Sequence, residues 1–281
     1  MDEGTYTMRV ATRDEVDLMV DWAAQEGWNP GLRDADCFYA ADPEGFFVGE
    51  LDGKVITTVS AVSYGPNFGF MGFYICVPEH RQHGHSFQLA NYAREALKCR
   101  TIGLDGVVEQ QDNYADWGFT LAHRNFRFGG APADPGPADP DVRPLTPEDM
   151  HAVYAMDLAC FGYERKAFLD AWVTAEGHRA LGCFKGSRLD GFTVARPCRE
   201  GTKIAPLFAV SPGVAERLFD EAARGAAGPV FLDVPETNKP ALDMVARKGM
   251  TKVFETARMY AGPEPKLPLG EIYGITSYEL G

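Results

Sequence analysis

The sequence predicts an α/β chain of two like halves, each a mixed sheet flanked by helices. Three observations predict it. Short apolar strand patterns alternate with stretches of helical period along the whole chain. The same order of elements recurs on either side of a central break, as an internal duplication would give. The break itself, residues 129–144, is rich in Pro, Gly, Ala and Asp and has no apolar period, the composition of an extended linker. At 281 residues the chain has room for two medium domains. The division expected is a first domain over 1–130, a linker over 131–144 and a second domain over 145–281.

In the first half, Tyr6 to Val10 has a strand pattern, and Arg13 to Gln25 a helical one with Val16, Leu18, Met19 and Trp22 on the apolar face. Thr12, Asp14 and Glu15 supply a cap and acids at that helix start. Asp52-Gly53 is a hairpin turn signal between strands Phe46 to Leu51 and Val55 to Tyr64. Phe68 to Val77 reads as a strand, Phe87 to Cys99 as a helix, and Gly103 to Val108 and Ala122 to Phe128 as two more strands. After the break, Thr146, Pro147 and Glu148 open a helix to about Ala159. A hairpin turns at Gly186-Ser187 between Leu181 to Lys185 and Leu189 to Arg196. Strand Ile204 to Val210, helix Ala215 to Arg224, strand Val230 to Val234, helix Lys239 to Lys248 and strand Lys252 to Tyr260 complete the series. No role follows for the stretch Leu267 to Gly281, which carries Tyr273 and Tyr278 beyond the last strand.

Composition narrows the function classes. Apolar residues make up 45% and charged residues 24%, which is ordinary for a globular protein. The formal net charge of −13 opposes general binding to nucleic acid or anionic lipid. No apolar run reaches a membrane span, and the acidic start lacks a signal-peptide core. Cys37, Cys76, Cys99, Cys160, Cys183 and Cys198 form no CxxC pair, so reduced thiols and a cytoplasmic location are expected. His80, His83 and His85 crowd one loop, but H-x-x-H-x-H is not a standard ligand spacing and no metal is expected.

The most informative segment runs from Phe73 to Ser86: an apolar strand ending at Pro78, a loop bearing Gly84, and a helix beginning near Ser86. Such a junction gathers unpaired amides and the positive end of a helix dipole, and so suits phosphate. Gly84 lets the backbone come close to a pyrophosphate. The junction is neither a Walker loop nor a G-x-G-x-x-G fingerprint.

Arg81-Gln82-His83-Gly84-His85-Ser86 resembles the R/Q-x-x-G-x-G/A acetyl-CoA pyrophosphate loop of the GCN5-related N-acetyltransferase (GNAT) superfamily. Val77-Pro78-Glu79 looks like that family's lead-in, and Asn113 to Phe119, with Tyr114 four residues before Gly118-Phe119, like its later helix-to-strand turn. Glu26-Gly27-Trp28-Asn29-Pro30-Gly31 and Ile102 to Val107 look like a tandem-domain subgroup with a degenerate second domain. Ser86 departs from the Gly or Ala of the loop's last position, and Gln82 and His83 replace the Gly and basic residue often found there.

The resemblance implies two tandem GNAT domains, each a mostly antiparallel mixed sheet flanked by helices. It implies an acetyl-CoA-dependent N-acyltransferase acting on a small-molecule amine, the alternative being a non-catalytic acyl-CoA sensor on the same fold. Coenzyme A would be held by Cys76, Val77, Arg81, Gln82, His83, Gly84, His85 and Ser86, with backbone amides near Ile75 to Val77 facing the thioester oxygen. Tyr114 is the candidate general acid for the leaving thiolate. Asp105, Glu109 and Asp112 are candidates for the base, and Asp105 is the one named. Glu26, Trp28 and Asn29 are expected along the acceptor site. In the second half no Arg-x-x-Gly follows Ile204 to Val210, and Val245 stands four residues before Gly249. That half is therefore expected to leave the cofactor unbound and to shape the acceptor pocket or an interface. Monomer and homodimer both remain open.

Overall fold

A computed structural model describes residues 4–97, 101–131 and 136–281. The first half contributes β1 (Tyr6–Val10), α1 (Arg13–Gln25), α2 (Asp34–Ala41), β2 (Phe46–Leu51), β3 (Lys54–Ser63), β4 (Phe68–Cys76), α3 (His85–Ala96), β5 (Thr101–Val107), α4 (Gln111–Asp116) and β6 (Thr120–Gly130). The second contributes β7 (Val142–Pro144), α5 (Met150–Phe161), α6 (Lys166–Thr174), β8 (Arg179–Lys185), β9 (Arg188–Pro197), β10 (Thr202–Ala209), α7 (Pro212–Ala223), β11 (Val230–Pro235), α8 (Lys239–Arg247), β12 (Thr251–Ala261) and β13 (Ile272–Gly274).

Local chemistry accounts for most boundaries. Thr12 and Glu15 close a reciprocal capping box on α1: the Glu15 amide donates to Thr12 Oγ1 at 3.3 Å and the Thr12 amide to Glu15 Oε2 at 2.7 Å. Asp52 and Gly53, both at positive φ, turn β2 into β3 with Leu51 opposite Lys54. Gly186 does the same between β8 and β9. The Pro-rich stretch is shorter than its composition suggests. Gly129 and Gly130 finish β6, Val142–Pro144 forms edge strand β7 against β8, and residues 132–135 lie outside those described. Two helices escape the periodicity reading. Both α2 and α6 are about two turns long, and they pack on each other across the halves through stacked Phe38 and Trp172. The described cysteines are free and buried, while Cys99 and the end of the expected helix over 87–99 fall outside the described residues.

Among the described residues thirteen strands form one sheet. Pairing is antiparallel except at β4–β5 and β10–β11. Along the sheet the order is β1-β2-β3-β4-β5-β12-β6-β11-β10-β9-β8-β7, with β13 beside β10. The sheet therefore runs unbroken through both halves, and the halves exchange strands. β12, from the second half, lies between β5 and β6; β6, from the first, lies between β12 and β11. The sequence does not announce this exchange. Helices cover both faces. Against the first half's sheet, α1 packs into one apolar cluster with Phe46, Phe70 and Phe73, and α3 into another with Phe47, Val59 and Leu104. Val214, Leu218, Met244 and Val245 of α7 and α8 close the second half's core.

Two buried ion pairs clamp the exchanged strands, one for each. Arg258 on β12 forks onto Asp105 of β5, with Nε to Oδ1 at 2.9 Å and Nη2 to Oδ2 at 2.6 Å. Arg127 on β6 forks onto Asp233 of β11 at 2.7 and 2.8 Å. All four side chains are nearly or wholly buried. A bidentate guanidinium–carboxylate fork fixes position as well as charge, and removing one partner leaves the other buried and unpaired. Arg258→Leu is expected to lower unfolding stability by about 3–5 kcal/mol, the cost of orphaning a buried carboxylate, in a urea titration. Tryptophan fluorescence and far-UV dichroism should still report one coincident transition, because the central strands belong to both halves.

Candidate active site

β4 pairs with β5 only from Phe68 to Met71. From Gly72 to Cys76 its other neighbour, β3, continues alongside, while β5 goes on past Leu104 paired with β12 alone. The two parallel strands thus part. A bulge accompanies the parting: β4 spends an extra residue between the pairs Gly72–Ser60 and Ile75–Thr58, and Phe73 takes φ 48°. Thr58 Oγ1 steadies it by donating to the Phe73 carbonyl at 2.9 Å. Into the gap opens a cavity of about 410 Å³.

The cavity leads to the start of α3. Between β4 and α3 the chain makes one 3-10 turn at Pro78–His80, then passes through Gln82 at φ 67° and Gly84 at φ 83°. Gly84 is the N-cap residue, and no side chain caps the helix. A helix start without a side-chain cap suits an external acceptor. An added Cβ at Gly84 would find open space, so the glycine serves backbone conformation there. Arg81 lies at the mouth, its Nε donating to the Cys76 carbonyl at 2.9 Å and its Nη2 to Glu26 Oε1. Ser86 sits beside Tyr74 and Cys76. The imidazoles of His80 and His83 lie 6.5 and 6.4 Å from that of His85.

Most of the sequence-predicted residues converge here. Cys76, Arg81, Gln82, Ser86, Tyr114, Asp105, Glu26 and Trp28 line the cavity. Val77, His83, Gly84 and His85 belong to the adjoining strand end, loop and helix start without lining it. Asn29 stands apart: its carboxamide pairs with the backbone of Glu200 at 2.8 and 2.9 Å. Tyr114 stands on α4 with its ring against Gly106 and beside Trp117. Burial, with Tyr74 close by, pushes its phenol well above the usual range, so it holds its proton at neutral pH. Asp105 lines the cavity but also carries the clamp: Arg258 holds both its oxygens and Asn125 donates to Oδ1 at 2.8 Å. Its carboxyl is pushed up by burial against the pull of Arg258.

Four lining residues come from the second half, and sequence reasoning gave none of them a place in the site: Phe254 and Thr256 of β12, and Tyr278 and Glu279 of the stretch beyond β13. Three of these bring buried polar atoms without a hydrogen-bond partner, namely Thr256 Oγ1, Tyr278 OH and Glu279 Oε1. The one signal for Tyr278 and Glu279 in the sequence was the Tyr-bearing stretch Leu267 to Gly281 beyond the last expected strand, of which 272–281 is buried throughout. Arg165 and Tyr64 hold it in place, through the Gly281 and Leu280 carbonyls at 3.1 and 2.9 Å.

The corresponding place in the second half is closed. β10 and β11 also part, after Thr202–Lys203, but β13 lies along β10 and the Ile275 amide reaches the Asp233 carbonyl at 2.9 Å, filling the gap. Ser211 caps α7 through the Val214 amide at 3.4 Å, with Pro212 at the first turn. The helix-to-strand turns nevertheless match: Phe119 N to Tyr114 O and Met250 N to Val245 O are both 3.0 Å.

The comparisons with known proteins agree with this geometry. The model of the acetyltransferase (GNAT) family matches residues 14–123, and an acetyltransferase (GNAT) domain model matches 153–274. The holothin acyltransferase of a Pseudoalteromonas species is 30% identical over 279 residues, covering 99% of this chain and 95% of its own. A Pyrococcus horikoshii protein taken to be an acetyltransferase superposes with a TM-score of 0.83 at 23% identity, over 100% of this chain and 97% of its own. A tandem GNAT protein of the clavulanic acid biosynthesis pathway gives 0.64 at 14% identity, over 93% of this chain and 100% of its own. No helix among the described residues is long and apolar enough to cross a membrane. With one family domain in each half and a relative matched nearly end to end, the chain belongs to the GNAT family as a tandem acyltransferase.

Proposed function

We propose that the protein transfers an acetyl group from acetyl-CoA to the amine of a small molecule, with the cofactor held by the first half. The single observation that carries this reading is the contrast between the two strand gaps. The first half's gap is open and leads to an uncapped helix start; the second half's is filled by β13 and faces a capped one.

The residues fit the group. Amides at the start of α3, with Gln82 and Gly84 shaping the turn, suit a diphosphate. The β4 edge freed from β5, up to Cys76, offers amides to a thioester oxygen; the Val77 amide is already given to the Ile56 carbonyl at 3.0 Å. Acetyl-CoA supplies the activated acyl group when bound. Tyr114 keeps its proton and can donate it toward the departing sulfur. Trp28 and Glu26 line the cavity and would meet the acceptor, whereas Asn29 is bonded to the backbone of Glu200 instead. A cavity of about 410 Å³ is the size of a small-molecule site. A relative named holothin acyltransferase supports acyl transfer as the reaction.

Acetyl-CoA at a hundredfold excess over Kd should stabilise the fold by about 2.7 kcal/mol and raise Tm by several degrees in a thermal-shift assay. Gly84→Val, which forces a β-branched residue to φ 83°, should abolish that rise; an undiminished rise would move the diphosphate elsewhere. Tyr114→Phe should slow thiol release with an amine acceptor by about a hundredfold while leaving the Tm rise intact. An unchanged rate would remove the phenol from the mechanism, and binding without thiol release in the parent would favour a sensor.

A further inference from the structure

Three carboxylates line the cavity: Glu26, Asp105 and Glu279. Glu26 is paired with Arg81 at the mouth. Asp105 is held at both oxygens by Arg258, and its mate Asp233 does the same work where there is no open cavity. Glu109 and Asp112 do not line the cavity. Of the three, Glu279 alone keeps a buried oxygen without a partner. Its residue is 2% exposed, so that oxygen is bare in a place where an unsatisfied carboxylate is costly. The backbone of Glu279 packs on Gly72, where a side chain would collide with the Glu279 carbonyl oxygen; this is the residue at which β4 parts from β5. Glu279 thus lines the cavity with its backbone at the root of the gap, and the same lining brings two further unpartnered groups, Thr256 Oγ1 and Tyr278 OH.

We infer that Glu279, supplied by the stretch beyond β13, is the catalytic base that takes a proton from the acceptor's ammonium group. The inference rests on the transfer reading above. A primary alkylammonium, with a pKa near ~10, must lose a proton before its nitrogen has a lone pair to use. That proton passes to Glu279. The nitrogen then forms the C–N bond to the acyl carbon and the C–S bond breaks. The nitrogen's second proton ends on the departing sulfur, by way of the Tyr114 phenol, and Glu279 returns its own to solvent. Products are an amide and a free thiol, with one proton released overall.

The surroundings keep Glu279 able to cycle. Lys203 of β10, Arg196 of β9 and Arg127 of β6 pull its carboxyl toward the ionised form, and Asp34 of α2 pushes against them. Each cation has a partner of its own: Lys203 the Asn29 carbonyl at 3.0 Å, Arg196 Asp34 at 2.7 Å through Nη1, its Nε and Nη2 staying unpartnered, and Arg127 Asp233, which also acts on Lys203. None of them reaches Glu279 as an ion pair among the described contacts. Burial outweighs them and raises the carboxyl above its ordinary value. The base is lost as pH falls through that raised value, so the acid limb of the rate profile should lie above the ordinary carboxylate range.

The test uses the full chain with acetyl-CoA and a panel of primary alkylamines, read by thiol release, with the acetyl-CoA-induced rise in Tm measured alongside. Glu279→Gln should lower kcat about 10²–10⁴-fold, keep the Tm rise and lose the acid limb. Glu279→Asp should recover part of the rate; if the Gln variant does not fold, the Asp variant and the parent's own limb decide. A Gln variant within about threefold of the parent, with the same limb, overturns the assignment and leaves the transfer reading standing. Loss of rate with the limb intact makes Glu279 a positioning residue and overturns it too. A parent that binds acetyl-CoA yet releases no thiol with any amine overturns both.

Discussion

The architecture depends on two arginine–aspartate forks buried at the middle of the sheet. Arg258 with Asp105, and Arg127 with Asp233, each join a strand of one half to a strand of the other. Stripping water from such pairs costs several kcal/mol per ion, and only the doubled hydrogen bonds and low local dielectric offset it. What they secure is register. A strand that slipped by one residue would turn its apolar side chains outward and strand a charge inside. With β6 and β12 so fixed, β12 holds β5 beyond the point where β4 leaves it, and the two parallel strands can part over the cavity.

The duplication shows how one scaffold can carry two fates. Both halves keep the parallel pair that separates, the helix that follows, and the same helix-to-strand turn. They differ in what occupies the separation. In one half the chain's own β13 takes up the polar edge and Ser211 satisfies the helix start. In the other both remain open to a ligand. A buried backbone group must find a partner, so a gap filled from within has little left to offer from without. The stretch that fills one gap goes on to wall the other, where it brings Tyr278 and Glu279.

Much of this was legible in the residues, and the rest was not for physical reasons. The order of strands and helices followed from local periodicity and from turn chemistry such as Asp52-Gly53 and Thr12 with Glu15, which act over a few residues. The loop from Arg81 to Ser86 and the turn bearing Tyr114 were legible because one short segment carries each whole arrangement. The strand exchange was not. Nothing local distinguishes a strand that pairs within its own half from one that crosses, since both need the same alternation. Asp105 was visible as a carboxylate near the site, but its bond to Arg258 spans 153 positions. Thr256 reaches the cavity by the same strand pairing and Glu279 by the packing of residues beyond β13, both over long range, so no spacing in the sequence could announce them. The helices α2 and α6 were missed because two turns give too little period to read.

The exchange also sets an order of events at the ribosome. The first half emerges with β5 and β6 complete, but the strand that separates them follows only after about 120 further residues. At ordinary rates of elongation that wait is on the order of ten seconds, during which two long strand edges stand unpaired. A nascent chain in that interval is a substrate for chaperones and for its neighbours on the same message, and it becomes a finished sheet only when the last strands leave the tunnel.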